Sequence, residues 1–365
     1  MYDYLIIGAG LSGSVAAERL ASQFGKKILI IEKRSHIAGN VYDEYDENGI
    51  FVHKYGPHLF HTNSRNVFEY LSGFTSWRFY EHHVLARLDG KLIPLPVNRE
   101  TINALYDIQL KDESETEKFL SGVRTNFDPV LNSQQIIMNR AGADIFERLF
   151  KNYTKKQWGI SADKLLPGVC GRIPVRLNDD CRYFTDRFQY MPDQGYTAMV
   201  KKMLSHKNIE VVLEQDYQPV LSDIKFHRII CTAPVDSFYN YEYGKLPYRS
   251  LEFISEYFAR EYAQEAAQVN YPGDEEWTRI VEYKHITGQK CSGTTLIKEI
   301  PKANGEPFYP VPSAENSELY GKYHSLSKSE KNVFFLGRLA EYRYYNMDQV
   351  VAGALNLVRQ LSGQS

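Results

Sequence analysis

The N-terminal run DYLIIGAGLSGSVAAERLASQFGKKILIIE, residues 3–32, constrains the fold of this chain more than any other stretch. An apolar segment leads into three glycines spaced GxGxxG, and a helical pattern, a second apolar segment and an acid follow in register. The run predicts a βαβ unit for a dinucleotide, with glycines beside the pyrophosphate and the acid on the ribose; the alternative is an ordinary strand–helix turn. In chain order the parts are residues 4–7, Gly8, Gly10, Gly13, residues 14–24, residues 28–31 and Glu32.

The residues after Glu32 favour FAD over NAD. The sequence EKRSHIAGN, residues 32–40, follows the acid with basic residues and a small-small turn, as in glutathione-reductase-like and amine-oxidase-like flavoproteins. Near the other end, VFFLGRLAEYRYYNMDQVVAGAL, residues 333–355, predicts a strand, a glycine and a helix start, whose free N–H groups suit a phosphate or a flavin carbonyl. The alternative is a last strand and helix that merely close the fold. A second glycine-rich βαβ turn for NAD(P)H is missing between residues 60 and 330.

Composition excludes several classes of function. The 43 Lys and Arg residues balance 45 Asp and Glu residues, so no overall field recruits nucleic acid or an anionic membrane. We see no signal-peptide pattern and no membrane-length apolar segment, so we expect a cytoplasmic protein without membrane insertion. The four cysteines are scattered, and the pair His58 and His61 lacks a third ligand, so no metal is expected. The histidine loop, residues 53–62, either covers the flavin or belongs to the core.

Three features of the middle of the chain predict a nucleotide site. Residues 101–162 have a polar helical pattern and lead into LFKNYTKKQWG, whose aromatic residues form either a core cluster or a stacking platform for a base. Residues 171–196 carry four arginines, which are either a solvated face or, at Arg172, a fork that reaches a diphosphate. Short β-like runs over residues 228–298, including RIICTAP, predict an antiparallel sheet over a cleft. The four arginines are Arg172, Arg176, Arg182 and Arg187.

The chain resembles the prokaryotic UDP-galactopyranose mutases over essentially its whole length. The resemblance is carried by the stretches GAGLSG, EKRSHIAGN, YGPHLFHTN, NYTKKQWG, RIPVR, YFTDRFQ, TRIVEYKH, PFYPVP and GRLAEYRYYNMDQ. It implies an α/β fold in which a Rossmann-like FAD-binding domain carries an inserted helical domain and an antiparallel β-sheet domain, commonly assembled as a homodimer. The implied FAD-binding domain is discontinuous, with residues 1–78, 188–235 and 326–365; the helical insertion is residues 97–168; the antiparallel sheet substrate domain is residues 79–96, 169–187 and 236–325.

The resemblance also implies an isomerase that interconverts UDP-galactopyranose and UDP-galactofuranose without net redox change, for cell-surface polysaccharide biosynthesis. Reduced FAD would attack the anomeric carbon through its N5 atom, with Arg172, Arg279 and His61 as the protein's catalytic residues. The implied substrate-binding residues are His82, Phe150, Tyr153, Trp158, Arg172, Tyr183, Asn270, Arg279, Tyr309 and Tyr344. The implied cofactor-binding residues are Gly8, Gly10, Ser12, Gly13, Glu32, Lys33, Arg34, Gly39, Asn40, His58, Leu59, Gly337, Arg338, Tyr345, Met347, Asp348, Gln349 and Val350.

Two residues depart from the family pattern near the implied sugar site. Asn346 stands where the family usually has aspartate, and His82 stands where many members have asparagine. These changes alter the local charge and the shape offered to the sugar, so UDP-N-acetylgalactosamine or dTDP-fucose is an alternative substrate. The alternatives from other classes are an amine-oxidase-like flavin oxidase, which predicts an apolar cleft, and a non-catalytic FAD-binding redox sensor, which predicts no UDP binding.

Overall fold

The computed structural model describes residues 1–363, and the N-terminal βαβ unit forms part of a five-stranded parallel sheet. The apolar segments at residues 4–7 and 28–31 are buried strands, as predicted, because parallel sheets are covered on both faces. The predicted helix also forms, but it begins at Leu11, directly after the glycine turn. In spatial order the strands are Ile209–Val212, Ile28–Ile31, Tyr2–Ile7, Phe226–Cys231 and Val333–Phe335.

The first and last helices of the chain pack together on this parallel sheet. The helix Leu11–Phe24 contacts the helix Met347–Ser362, and their buried faces belong to one hydrophobic core cluster. The helix start predicted within residues 333–355 is present, and its helix continues to Ser362. The packing brings the C-terminal strand–helix junction beside the glycine turn, at the edge of a parallel sheet where ligands bind in such folds.

One sheet assignment predicted from the local pattern is wrong, although the resemblance implied that the same residues belong to the FAD-binding domain. The run RIICTAP was expected in the antiparallel sheet, but its strand, Phe226–Cys231, pairs in parallel with Tyr2–Ile7 and Val333–Phe335. A short apolar run has no period that reveals its neighbours, so local sequence could not decide which sheet it would join. Residues 229–231 of this strand are buried, as the interior of a parallel sheet requires.

A second, seven-stranded sheet lies over the central cavity described below. Its neighbouring strands are antiparallel, as predicted, except for Val84–Leu88 and Gln268–Asn270, which are parallel. The parallel pair arises because strands from two distant parts of the chain, before and after the helical segment, meet there. In spatial order the strands are Tyr309–Pro310, Tyr248–Phe258, Thr294–Lys302, Arg279–Glu282, Gln268–Asn270, Val84–Leu88 and Lys91–Leu95.

A helical segment lies between these two parts of the large sheet in sequence. Asn98, Asp112 and Asn132 each cap a helix by accepting a backbone N–H of its first turn. The segment from 143 to 158 is continuously helical and contains a π-helical stretch, a feature frequent near functional sites. The helices are Arg99–Tyr106, Glu113–Val123, Ser133–Ala141, Ala143–Ile145, the π-helix Phe146–Lys151, Asn152–Trp158, the 3₁₀ helix Ala162–Lys164 and Gly168–Gly171.

The remaining elements connect these layers. The strands Phe60–Thr62, Phe188–Pro192 and Trp77–Phe79 form a small sheet, and Asp43–Tyr45 pairs with Phe51–His53. Across residues 1–363, no helix has the length and apolar character needed to cross a membrane. The division into three domains stays a prediction. The other helices are the 3₁₀ helix Gly39–Val41, Arg65–Ser72, Gly195–Met203, Tyr217–Asp223, Val235–Phe238, Tyr283–Thr287 and Ala314–Ser329.

Candidate functional site

Two cavities meet at the carboxyl edge of the parallel sheet. The N-terminal cavity, of about 380 Å³, is lined by the glycine turn, Glu32 and residues 38–41. The central cavity, of about 610 Å³, lies between the large sheet, the helical segment and the C-terminal junction. His58, Arg338 and Met347 belong to the walls of both cavities. A ligand that spans the two would therefore pass these three side chains.

Close backbone approach shapes the N-terminal cavity. Gly10 lies against Gly39, where an added Cβ would come within 2.8 Å of the Gly10 Cα atom. Ala38 beside it has a φ of 73°, a left-handed backbone that costs an alanine about 1 kcal/mol or more. Gly13 lies beneath the turn, where a Cβ would collide with the Gly8 carbonyl oxygen. The wall at this point is bare backbone with N–H groups at the start of a 14-residue helix.

Glu32 is held in place by the backbone around it. One carboxylate oxygen accepts the Ala9 N–H at 2.9 Å, and the other accepts the Arg34 N–H at 2.9 Å. Each carboxylate oxygen can accept a further hydrogen bond, because an ionised carboxylate has about four acceptor positions. Glu32 is thus a buried, oriented acceptor in the cavity wall, as a ribose contact requires.

The basic residues after Glu32 meet an acid that the sequence did not reveal. The Arg34 guanidinium donates to Glu306 at 2.9 Å and to Asn40 at 2.9 Å, and Lys33 lies 3.3 Å from Glu306. The Arg34 guanidinium also lies 4.2 Å from the centre of the Tyr55 ring. Other wall residues that sequence reasoning missed come from distant loops and two short helices and carry no local signal: Gln215, Asp216, Tyr217, Thr232, Ser237 and Tyr241.

The predicted residues line the two cavities, with the exceptions of Gly13, Gly337 and Tyr345. Gly337 has a φ of 94°, and a Cβ on it would collide with Ser12. The Tyr345 carbonyl accepts a hydrogen bond from the Arg338 guanidinium at 2.7 Å. Gly13 underlies the turn. The N-terminal cavity is lined by Gly8, Gly10, Ser12, Glu32, Lys33, Arg34, Gly39, Asn40 and Val350. The central cavity is lined by Leu59, His61, His82, Phe150, Tyr153, Trp158, Arg172, Tyr183, Asn270, Arg279, Tyr309, Tyr344, Asp348 and Gln349.

Aromatic rings and guanidinium groups form the centre of the central cavity. The Arg172 guanidinium carbon lies 4.0 Å from the centre of the Tyr344 ring, and that of Arg338 lies 5.2 Å from it. The edge of Trp158 meets Tyr309 and Tyr344, with centroids 6.3 and 5.9 Å apart. Burial acts to raise the pKa of Tyr344, but the nearby guanidinium groups outweigh it and lower that pKa below its ordinary value. The guanidinium groups thus make the surroundings of Tyr344 electropositive.

Among Arg172, Arg279 and Arg338, the guanidinium that pairs with a carboxylate within residues 1–363 is that of Arg279. It lies across the sheet from Asn270 on one side and Glu299 on the other, and it donates to Glu299 at 2.7 Å. Burial raises the pKa of Glu299 above its ordinary value, while Arg279 opposes that rise. Within residues 1–363, Arg172 and Arg338 make no ion pair with a carboxylate. Two positive charges in the wall are therefore available to an anion.

The other arginines of residues 171–196 are used within the protein. Arg176 lines the central cavity but donates to the carbonyls of residues 180 and 182. Arg182 pairs with Asp180 at 2.9 Å and with Glu81 at 3.0 Å. Arg187 is exposed. The two interpretations of this segment thus apply to different residues, with Arg172 open to the cavity and Arg182 on a paired, part-exposed face.

The three cavity histidines have separate hydrogen-bond partners. His58 contacts the Gly56 carbonyl through Nδ1 at 2.9 Å; because a carbonyl only accepts, Nδ1 carries the proton and Nε2 is an acceptor. His61 pairs with Asp186 at 2.9 Å and stacks on Phe184. His82 contacts the Tyr80 hydroxyl at 3.0 Å, and its buried Nε2 has no partner within residues 1–363. Burial, as the main cause, lowers the pKa of His58 and of His82 to about 3.

Comparison with known proteins identifies the family. A family model described as UDP-galactopyranose mutase matches residues 148–344, and one described as an NAD(P)-binding Rossmann-like domain matches residues 6–74. The chain is 37% identical to a probable UDP-galactopyranose mutase of Klebsiella pneumoniae over 97% of this chain and 93% of that protein. The chain belongs to the UDP-galactopyranose mutase family. The resemblance predicted from the sequence is therefore confirmed, and the chain is an enzyme of the mutase class.

Two further relatives extend this finding. A dTDP-fucopyranose mutase of Escherichia coli is 35% identical over 97% of this chain and 97% of its own length. A crystal structure of reduced UDP-galactopyranose mutase has a TM-score of 0.78 with 16% identity, covering 100% of this chain and 96% of that one. The structural likeness confirms the α/β fold with its Rossmann-like domain. Family members of similar identity thus differ in the nucleotide sugar that their names give.

The buried histidines predict an acid-sensitive fold. Burial, and then the nearby His58, lowers the pKa of His53 to about 3 from 6.5. Below about pH 6.5 the unfolded chain therefore binds protons that the folded chain does not bind. The free energy of unfolding decreases as the pH is lowered, by about 2 kcal/mol per such histidine at pH 5. In His53→Asn the amide oxygen can still accept the backbone N–H of His58. In this variant we expect the decrease in the free energy of unfolding between about pH 7.5 and 5 to be smaller by about 2 kcal/mol.

Urea unfolding at the two pH values measures this effect. The control is His227→Asn, because His227 is exposed and should leave the pH dependence unchanged. An equal loss of stability in the His53 variant and the unsubstituted protein would contradict the assignment of a buried, neutral His53.

Proposed function

We propose that this chain is a UDP-galactopyranose mutase that uses reduced FAD to interconvert UDP-galactopyranose and UDP-galactofuranose. The observation that carries the proposal is the electropositive, aromatic wall of the central cavity, where Arg172 and Arg338 have no carboxylate partner within residues 1–363. A nucleoside diphosphate presents a planar base and two adjacent anionic phosphates, which suit aromatic rings and guanidinium forks. Membership of the family supports the choice of a nucleotide sugar.

The residues of the N-terminal cavity fit the adenosine diphosphate part of FAD. The Gly10 and Gly39 backbones approach so closely that a Cβ on Gly39 would fill the space, as expected where a pyrophosphate lies against bare backbone. Glu32 keeps acceptor capacity for ribose hydroxyls. His58, Arg338 and Met347 would then meet the flavin end, because they line both cavities. When bound, reduced flavin supplies the nucleophilic nitrogen and no net electron transfer is needed.

The protein's own part in the reaction is to hold the diphosphate and position the sugar. In each turnover the diphosphate must leave the anomeric carbon and later bond to it again. Guanidinium contacts that keep the diphosphate in the cavity hold it close to that carbon in the meantime. The diphosphate would be held by Arg172 and Arg279 and by hydrogen bonds from the hydroxyls of Tyr183, Tyr309 and Tyr344. The uracil would stack on Trp158, with Phe150 and Tyr153 beside it. His61, oriented by Asp186, is our choice for the assisting histidine.

The identity of the sugar is the point on which a second candidate is favoured. The Escherichia coli dTDP-fucopyranose mutase is nearly as similar to this chain as the Klebsiella relative. Asn346, at the start of the C-terminal helix and in the wall of the central cavity, removes a carboxylate from the expected pattern. His82 adds a buried imidazole to the wall. A dTDP-fucose or UDP-N-acetylgalactosamine mutase is therefore the alternative, with the same chemistry.

An amine-oxidase-like flavin oxidase is a weaker alternative, because its cleft would be apolar whereas guanidinium groups line this one.

We propose further that the chain works in the cytoplasm as a homodimer, and that its product enters cell-surface polysaccharide. These three proposals rest on the family alone.

The first test is anaerobic incubation of the FAD-loaded protein with UDP-galactofuranose, with and without dithionite, followed by chromatography. We expect conversion to the pyranose only with reduced flavin, because the reaction needs the flavin as a nucleophile and not as an electron acceptor. Conversion with oxidised flavin at the same rate would contradict the mechanism. No conversion of UDP-galactofuranose, with conversion of dTDP-fucofuranose, would transfer the proposal to the second candidate.

The second test concerns the diphosphate. In Arg172→Ala we expect the dissociation constant for UDP to rise about 10- to 100-fold, because a charge-assisted contact is worth about 1.5–3 kcal/mol. Calorimetric titration of the FAD-loaded protein measures this. Arg187→Ala is the matched control, since Arg187 is exposed in the same segment and should leave the affinity unchanged. Equal affinity for UDP in the Arg172 variant and the unsubstituted protein would refute the assignment of Arg172.

A further inference from the structure

A ring of backbone carbonyls surrounds the ammonium of Lys156. The Nζ atom donates to the carbonyl oxygens of Tyr271, Gly273, Glu275 and Trp277 at 2.7, 2.9, 2.8 and 3.1 Å. We call residues 271–277 the carbonyl loop. Alternate residues of this loop direct their carbonyls to one point, and an ammonium with three N–H donors shares itself among four acceptors. The contacts are charge-assisted, which strengthens the set as a whole, although one N–H is divided between two carbonyls.

The carbonyl loop joins two strands whose ends face the central cavity. Gln268–Asn270 precedes the loop and Arg279–Glu282 follows it, and Asn270 lies directly opposite Arg279 in the sheet. Both of these residues line the central cavity. Glu299 holds the Arg279 guanidinium, and the carbonyl loop leads directly into the strand that begins at Arg279.

Lys156 itself belongs to the helix Asn152–Trp158, which we call the stacking helix. Tyr153, Gln157 and Trp158 of this helix line the central cavity, so their neighbour Lys156 links the aromatic wall to the guanidinium wall. The end of the helix is also tied to the large sheet, because Arg249 donates to the carbonyls of Lys156 and Gln157 at 3.1 Å each.

Besides the Lys156 contacts, the carbonyl loop is supported by aromatic side chains: the centres of the Tyr271 and Trp277 rings lie 5.7 Å apart, and the Lys298 ammonium lies 5.4 Å from the centre of the Trp277 ring. The loop residues have no regular secondary structure in the described chain, and the buried Glu275 Oε2 and Trp277 Nε1 atoms have no hydrogen-bond partner within residues 1–363. The Tyr271 N–H donates to the Thr278 carbonyl at 2.9 Å, which closes the base of the loop. Removal of the ammonium would leave four carbonyls without their shared donor, and the loop would lose its main point of attachment to the stacking helix.

We propose that Lys156 is a positioning residue that sets the distance between the base-stacking wall and the diphosphate-binding Arg279, and so controls the affinity for the nucleoside diphosphate. This inference rests on the proposed function, since it takes UDP as the ligand of the central cavity. Lys156 does not line the cavity and acts through the carbonyl loop. The neighbouring Lys155 is exposed and serves as a matched control on the same helix.

The test compares Lys156→Met with Lys155→Met in the FAD-loaded protein. For Lys156→Met we expect the dissociation constant for UDP, by calorimetric titration, and the KM for UDP-galactofuranose to rise about tenfold or more, because several charge-assisted contacts position the loop. We expect a smaller change in kcat, unchanged FAD affinity and an unchanged flavin absorbance spectrum. Lys155→Met should leave all of these values unchanged.

A double-mutant cycle separates positioning from a general loss of stability. If Lys156 acts through Arg279, the effect of Lys156→Met on UDP affinity should shrink in an Arg279→Lys background, because coupled sites are not additive. Additive effects, or equal weakening of FAD and UDP, would overturn the inference. Unchanged UDP affinity in a folded Lys156→Met variant would overturn it as well, while leaving the proposed function intact.

Two further measurements keep the test decisive. If Lys156→Met does not fold, Lys156→Gln, which keeps two N–H donors, should show a smaller rise in the UDP dissociation constant and faster hydrogen exchange over residues 271–277. Unchanged exchange and affinity in that variant would overturn the inference. Failure of the unsubstituted protein to bind UDP would overturn the proposed function, and this inference with it.

Discussion

The site depends on an excess of positive charge gathered in the wall of one cavity. Arg172, Arg279 and Arg338 face one cavity, and within residues 1–363 the buried carboxylate that pairs with them is Glu299, on Arg279. Arg172 is exposed, whereas Arg338 and Arg279 are part-buried and need partners that offset their desolvation. Aromatic faces, a backbone carbonyl and the Glu299 carboxylate supply these contacts. Tyr344 lies under two of the guanidiniums. The remaining charge is what an anionic ligand can neutralise.

The same constraint explains the architecture around the cavity. The arginines come from three places: the segment after the helical segment, a strand of the large sheet and the C-terminal junction. Two of these places are anchored by hydrogen bonds, Arg279 to Glu299 and the Arg338 guanidinium to the Tyr345 carbonyl. The parallel sheet fixes the junction beside the glycine turn, and therefore fixes the site against the N-terminal cavity.

Much of this arrangement could be predicted from local sequence. The glycine turn with its flanking strands, the acid at Glu32 and the strand–helix junction near the C-terminus each follow from short-range patterns, and each forms as expected. The sheet that contains RIICTAP could not be predicted, because a short apolar run does not specify its partner. Glu299 and Glu306 were missed because their partners, Arg279 and Arg34, are distant in sequence or belong to another element.

By itself the sequence determined the dinucleotide-binding unit, the balanced charge and the family, because these depend on residue types at short spacings or on motifs along the whole chain. Tertiary structure alone decided which arginine is open to a ligand and which is paired. Arg172 and Arg182 are ten residues apart in one segment, yet one faces the cavity and the other faces Asp180 and Glu81. The physical reason is that the free charge of a guanidinium depends on which carboxylates the fold brings within contact, and sequence spacing does not specify this.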